Sequence, residues 1–206
     1  METNKIFLEK KFREVSNLIS PKSKVLDIGC NNGNIRNFLE NCEYYGIDID
    51  KKLVNELIKN KVKAKVIDLN KDEIPFKQEK FDYILMLDVL EHIINPEKLL
   101  KDSKKLLNET GKLIITLPND YHILNKIRFI FNKPLTENPF AAYGHLHYFS
   151  IKDGENFLIK NGFKIIKIII IPPIKPSFIT QSIKNFLAKN FQQAFARDIL
   201  YLLESV

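Results

Sequence analysis

Short apolar runs and helical stripes alternate along this chain. Residues 24–28 place Val25, Leu26 and Ile28 in a run rich in strand formers, and residues 34–40 carry Ile35, Phe38 and Leu39 at helical spacing. A strand-like stretch at residues 44–49 comes next, followed by helical patterns over residues 51–59 and 96–107. Asn95 suits the cap of the latter helix and Pro96 its first turn. Ahead of the first strand, Ile6, Phe7, Phe12, Val15, Leu18 and Ile19 mark a helix over residues 6–19 that stops before Pro21. Such alternation predicts a mostly parallel sheet with helices on both faces and ligands beyond the carboxyl ends of the strands.

The C-terminal part reads differently. Residues 163–171 and 197–203 are strand candidates around a helical stretch at residues 177–189. Ile199, Tyr201 and Leu203 alternate with Leu200 and Leu202, so the last strand is apolar on both faces and belongs inside the sheet. Residues 121–131 set Ile123, Leu124, Ile127, Ile130 and Phe131 against Lys126 and Arg128, which predicts an amphipathic helix packed over the site. A lid or a membrane-surface contact is the alternative for that helix. Residues 134–143 read as a loop at the ligand-facing edge, and Ser150 as the cap of a helix over residues 151–161 that Gly162 ends.

The turn after the first strand carries the chemistry. Gly29 lets the backbone bend where a side chain would block a ligand, Asn31 and Asn32 tolerate left-handed angles, and Gly33 completes the turn. Asp48 closes the second strand about 20 residues further on, where an acid accepts hydrogen bonds from ribose hydroxyls. A dinucleotide site would show G-x-G-x-x-G, with pyrophosphate on the helix N-terminus. Here Asp27 precedes the first glycine and Asn31 stands where the second would be. An acid at the turn repels phosphate and suits a cation.

Asp27-Ile28-Gly29-Cys30-Asn31-Asn32-Gly33 resembles motif I of the class I S-adenosylmethionine-dependent methyltransferases, with Asn31 departing from the family glycine. Further resemblances follow in order: Val66-Ile67-Asp68-Leu69 with Ile74-Pro75-Phe76, the stretch from Phe81 through Leu87-Asp88-Val89-Leu90-Glu91-His92, and the stretch from Gly111 through Leu117-Pro118-Asn119. The resemblance implies a three-layer, doubly wound, Rossmann-like α/β fold. Its sheet has seven mostly parallel strands in the order 3-2-1-4-5-7-6, the last one antiparallel. It also implies one domain over residues 1–206, with residues 119–150 as a variable substrate or lid segment. S-adenosylmethionine is the implied cofactor, held by Asp27, Gly29, Cys30, Asn31, Gly33, Asp48, Ile49, Asp68, Leu69, Leu87, Asp88 and His92. In that family the first acid helps hold the amino-acid end of the cofactor, and Asp68 would meet the adenine amino group. Asp88 can instead cap the following turn, and His92 can be a packed histidine beside the site.

Composition narrows the reading. At 206 residues and 45% hydrophobic content, one sizeable α/β core fits and a second domain does not. The formal charge of +7 comes from 28 lysines against four arginines, spread through every segment without aromatic interleaving, so no nucleic-acid face is expected. No apolar signal region opens the chain, and the run over residues 165–171 is far short of the ~20 residues that span a bilayer. Cys30 and Cys42 form neither a metal spacing nor a disulfide framework, which points to the cytoplasm. Histidines 92, 122, 145 and 147 show no paired helical spacing, so no metal centre is expected.

Gly144 through Ser150 is the best candidate for acceptor chemistry. His145 and His147 would point the same way in an extended segment, and either could take the acceptor's proton. Leu87-Asp88-Val89-Leu90 replaces the [DN]-P-P-[YF] loop of amino-methylating DNA and protein enzymes, and no Pro-Cys loop like that of cytosine-carbon enzymes appears. A small molecule, lipid-like precursor or sugar is therefore the expected acceptor; oxygen is the expected target atom, and peripheral membrane contact is left open. Residues 117–119 and the histidine loop resemble methionine-biosynthesis-associated methyltransferase-like proteins, while residues 88–92 resemble ubiquinone-type O-methyltransferases. The first likeness implies an alternative: a non-enzymatic subunit that binds and regulates a partner acyltransferase.

Overall fold

The computed structural model describes residues 2–133, 144–173 and 180–206. Seven strands form one sheet: β1 (Lys24–Ile28), β2 (Glu43–Asp48), β3 (Lys63–Val66), β4 (Phe81–Leu87), β5 (Leu107–Pro118), β6 (Phe163–Ile171) and β7 (Asp198–Ser205). Their spatial order is β3-β2-β1-β4-β5-β7-β6. The first five strands pair in parallel, while β7 runs antiparallel to both β5 and β6. This is the order and polarity that the motifs imply.

Seven helices accompany the sheet among the described residues: α1 (Glu2–Ser16), α2 (Lys51–Lys59), α3 (Pro96–Lys104), α4 (Ile123–Ile130), α5 (Ile151–Lys160), α6 (Gln181–Asn190) and the single-turn α7 (Gln192–Phe195). Side chains fix several of their starts. Asp50 accepts the amides of Lys52 and Leu53 ahead of α2, Asn95 accepts Lys98 N ahead of α3, and Ser150 accepts Asp153 N ahead of α5.

The interior sits on both faces of the sheet. Leu26, Ile28, Ile84, Met86 and Tyr201 pack on one face, and Val25, Leu85, Ile114 and Leu200 on the other. Each such side chain contributes roughly 1.5–3 kcal/mol by leaving water. Every residue from Asp198 to Leu203 is buried, as an interior strand requires. At the edge, β6 exposes Ile166 and Ile168 but interleaves Lys164 and Lys167, which discourages pairing with another chain.

Two expectations change. The helix expected over residues 34–40 is a 3-10 turn, Asn34–Phe38, because left-handed Gly33 offers no side-chain cap and two asparagines favour local turns. Helix α4 forms, but it is not packed over the site: none of its residues is buried, and Leu124, Phe129 and Ile130 are well exposed. An apolar stripe encodes a face to cover, not what covers it. The loop expected at residues 134–143 lies outside the described residues, as does part of the helical stretch expected from residue 177.

Candidate functional site

A cavity of about 860 Å³ opens at the carboxyl ends of β1, β2 and β4, roofed on one side by Leu8, Lys11 and Phe12 of α1. It lies where doubly wound sheets bind ligands. Of the residues expected to hold a cofactor, Asp27, Gly29, Cys30, Asn31, Asp48, Ile49, Asp68, Leu69, Leu87, Asp88 and His92 all line it. Gly33 does not. A Cβ there would lie 2.8 Å from Leu57 Cδ2, at a φ of +68°, so close packing and a left-handed turn both call for glycine.

The turn is built by backbone. The amides of Gly29 and Cys30 both donate to the Ile47 carbonyl, at 2.9 and 3.0 Å, which ties the end of β1 to β2. Gly29 holds φ at +75°, and a Cβ there would lie 2.6 Å from a Val89 methyl. Substitution would therefore push the turn into the segment that forms the opposite wall.

Acids dominate the lining. Asp48 accepts Asn31 N at 2.7 Å on one oxygen and Asp50 N at 2.9 Å on the other, leaving further lone pairs for a ligand. Asp27 is buried and accepts the Tyr44 hydroxyl at 2.6 Å. Burial pushes the Asp27 carboxyl up to about 7, with the nearby Asp48 charge adding to it and the Tyr44 bond opposing. Asp68 sits at the far end and takes the Lys71 ammonium at 2.9 Å. Burial also raises the Cys30 thiol well above its ordinary range, which disfavours a nucleophilic thiolate there.

Asp27 makes stability depend on pH. Its unfolded carboxyl loses its proton near 3.8 and the folded one near 7, so between these values the folded chain binds a proton that the unfolded chain has released. Stability therefore falls as pH rises through that window and flattens above it. Urea midpoints measured from pH 4 to 8 should decline accordingly, and Asp27→Asn should flatten the decline. A midpoint that rises with pH in the wild type and is indifferent to that substitution would refute the assignment.

Sequence reasoning missed Lys11. Its ammonium is 1% exposed and pairs with Asp88 at 2.5 Å and Asp198 at 2.6 Å, joining α1 to the end of β4 and the start of β7. Burial opposes that charge, but the two carboxylates hold the ammonium above its ordinary range. Asp88 also accepts the Thr116 hydroxyl at 2.6 Å and receives no capping role. No local pattern in a helix rich in lysine and glutamate marks which lysine turns inward.

The histidine loop bends at Leu146 and His147, because both amides donate to the Glu91 carbonyl, at 2.7 and 3.2 Å. The two imidazoles therefore do not share a direction as they would in an extended strand. His145 Nδ1 lies 3.3 Å from Asp120 Oδ1, and this bond raises its pKa against the effect of burial. His147 Nε2 lies 2.8 Å from the Ile93 carbonyl. His92 packs edge-on to His145, with ring centroids 5.0 Å apart. Glu91 is buried beside them, its carboxyl pushed up to about 8 by burial and by the Asp88 charge. Only the motif spelling Leu90-Glu91-His92 hinted at Glu91, and nothing in the sequence marked Asp120.

A family profile described as a methyltransferase domain matches residues 4–168. An uncharacterized protein of Methanocaldococcus jannaschii is 31% identical over 153 residues, covering 71% of this chain and 67% of its own length. A tRNA U34 carboxymethyltransferase of Nautilia profundicola is 30% identical over 131 residues, covering 54% of this chain and 42% of its own. A TehB-like S-adenosylmethionine-dependent methyltransferase from Corynebacterium glutamicum has the same fold, with a TM-score of 0.61 at 17% identity over 95% of this chain and 87% of that one. This chain thus spans about two thirds of the archaeal relative and less than half of the carboxymethyltransferase.

Proposed function

The chain belongs to the methyltransferase-domain family, and from that premise we propose that it methylates a small-molecule acceptor at oxygen. S-adenosylmethionine is the methyl donor. When bound, this cofactor supplies an electrophilic methyl group on a sulfonium.

The residues at the cavity fit that molecule. Asp48 keeps lone pairs free for a ribose diol, Asp27 and Asp88 set carboxyl oxygens at the head of the strands within reach of an ammonium and a sulfonium, and Ile49 and Leu69 offer apolar contact to a flat ring. A polyphosphate would meet repulsion from the same acids.

One observation carries the preference for a small acceptor. Five aspartates line the cavity against two lysines, and one of those lysines is already neutralised by Asp88 and Asp198. The described lining of the cavity therefore offers a polyanion little positive charge. The carboxymethyltransferase likeness covers under half of that relative, which leaves its tRNA acceptor outside this reading.

The histidine loop handles the acceptor. The Ile93 carbonyl can only accept, so His147 Nε2 carries the hydrogen and Nδ1 keeps the lone pair that a general base needs. His145, steered by Asp120, works beside it. Alanine at either position is expected to slow turnover while S-adenosylmethionine affinity, measured by calorimetry, stays nearly intact. Full turnover in both variants would remove the loop from the chemistry. The acceptor itself is found by incubating the protein with methyl-labelled cofactor and fractionated cell extract. Label recovered in small metabolites supports the reading, and label recovered only in RNA or protein sinks it.

A further inference from the structure

We propose that Glu91, His92 and His145 form a site for one divalent first-row metal ion, open to an oxygen of the acceptor. One donor atom from each residue lies within 4.8 Å of the other two. Both oxygens of Glu91 are buried and meet no hydrogen-bond donor among the described residues, in a residue 1% exposed. A carboxylate in that state is strongly disfavoured unless a cation compensates it.

The two imidazoles are already oriented for such a role. His92 Nδ1 lies 3.2 Å from the Gly144 carbonyl, which can only accept, so Nδ1 carries the hydrogen and Nε2 keeps its lone pair. His145 is held in the same tautomer by Asp120 Oδ1 behind its Nδ1. A carbonyl or carboxylate behind the ring is how proteins aim and strengthen a metal-binding histidine. The amides of Leu146 and His147 lock the loop to the Glu91 carbonyl, which fixes the distance between the two halves of the site. Spacing along the chain could not reveal this, because Glu91 and His92 follow β4 while His145 arrives from beyond α4.

Two nitrogens and one carboxylate suit zinc, manganese, cobalt or ferrous iron better than calcium, which prefers an all-oxygen shell. Three protein ligands leave coordination positions open, and His92 also lines the donor cavity. A hydroxyl bound to the ion would release its proton more readily, and His147 could receive it. This part rests on the proposed oxygen acceptor; the metal site does not.

The test uses the whole chain stripped of metal with chelator. Titration with cobalt should give one equivalent and a visible ligand-field band, and zinc should displace it in calorimetry. Glu91→Gln and His145→Ala should each weaken cobalt binding at least tenfold, with circular dichroism unchanged. Wild-type protein that takes up no cobalt, or variants that bind it as well as wild type does, would overturn the site. S-adenosylmethionine affinity measured on the same samples separates the two readings. Cobalt bound without the cofactor would leave the site standing and sink the donor reading, whereas the converse would sink the site alone.

Discussion

Asp48→Ala is expected to bind S-adenosylmethionine about a hundredfold more weakly than the wild type in calorimetry. The carboxylate stands at the carboxyl end of β2, in register with Val66 of β3, and two backbone amides from either side hold it in place. Those bonds fix its orientation before any ligand arrives, so little ordering cost falls on binding. Two hydrogen bonds to a charged acceptor contribute about 1.5 kcal/mol each, and roughly 3 kcal/mol corresponds to about two orders of magnitude in affinity. Asp48→Asn retains one acceptor oxygen and should fall between. Because the Asn31 and Asp50 amides lose their partner too, a thermal melt of each variant distinguishes a loosened turn from a lost ligand contact. Unchanged affinity in the alanine variant would strip Asp48 of its ribose role.

The second large effect concerns stability. Lys11→Met should lower the unfolding free energy by about 3 kcal/mol, since removing the central cation of a buried triad leaves Asp198 with only the Arg197 guanidinium at 3.9 Å. The methionine keeps most of the stem volume, so lost packing contributes little. Asp198 is nearly buried while Asp88 is partly open to the cavity, and water reaches the Asp88 side of the triad. The penalty therefore falls mainly on Asp198. Lys11→Met combined with Asp198→Asn should recover part of the loss, and a double-mutant cycle in urea measures how much. A single-variant loss under about 1 kcal/mol would place the triad among solvated surface pairs.

The sheet was legible because its signals are local. The apolar runs of β1, β4 and β6, the doubly apolar β7 and the Asn95-Pro96 start of α3 each state their structure within a few residues, and the ordered motifs join them into one topology. The acids at the strand ends were legible for the same reason, being pinned to the ends of strands. Lys11, Asp120 and Asp198 were not. Each acquires its role from a partner far along the chain, and a charged residue among charged neighbours shows nothing of which way it will face. Glu91 was spelled in a recognisable motif, yet the isolation of its carboxyl from donors among the described residues is a property of packing. The bend in the histidine loop escaped for a related reason: alternation predicts a shared direction only while the backbone stays extended, and the Glu91 carbonyl pulls two successive amides onto itself.

The bond from Lys11 to Asp198 also sets a schedule for synthesis. The first helix leaves the ribosome long before the seventh strand, and at about 5–20 residues per second that strand follows on the order of ten seconds or more later. Until it emerges, the lysine has no second carboxylate and the gap between β5 and β6 has no occupant. A nascent chain halted before β7 should therefore expose its pocket unfinished and draw chaperones, and only a chain whose β7 has emerged should retain the cofactor.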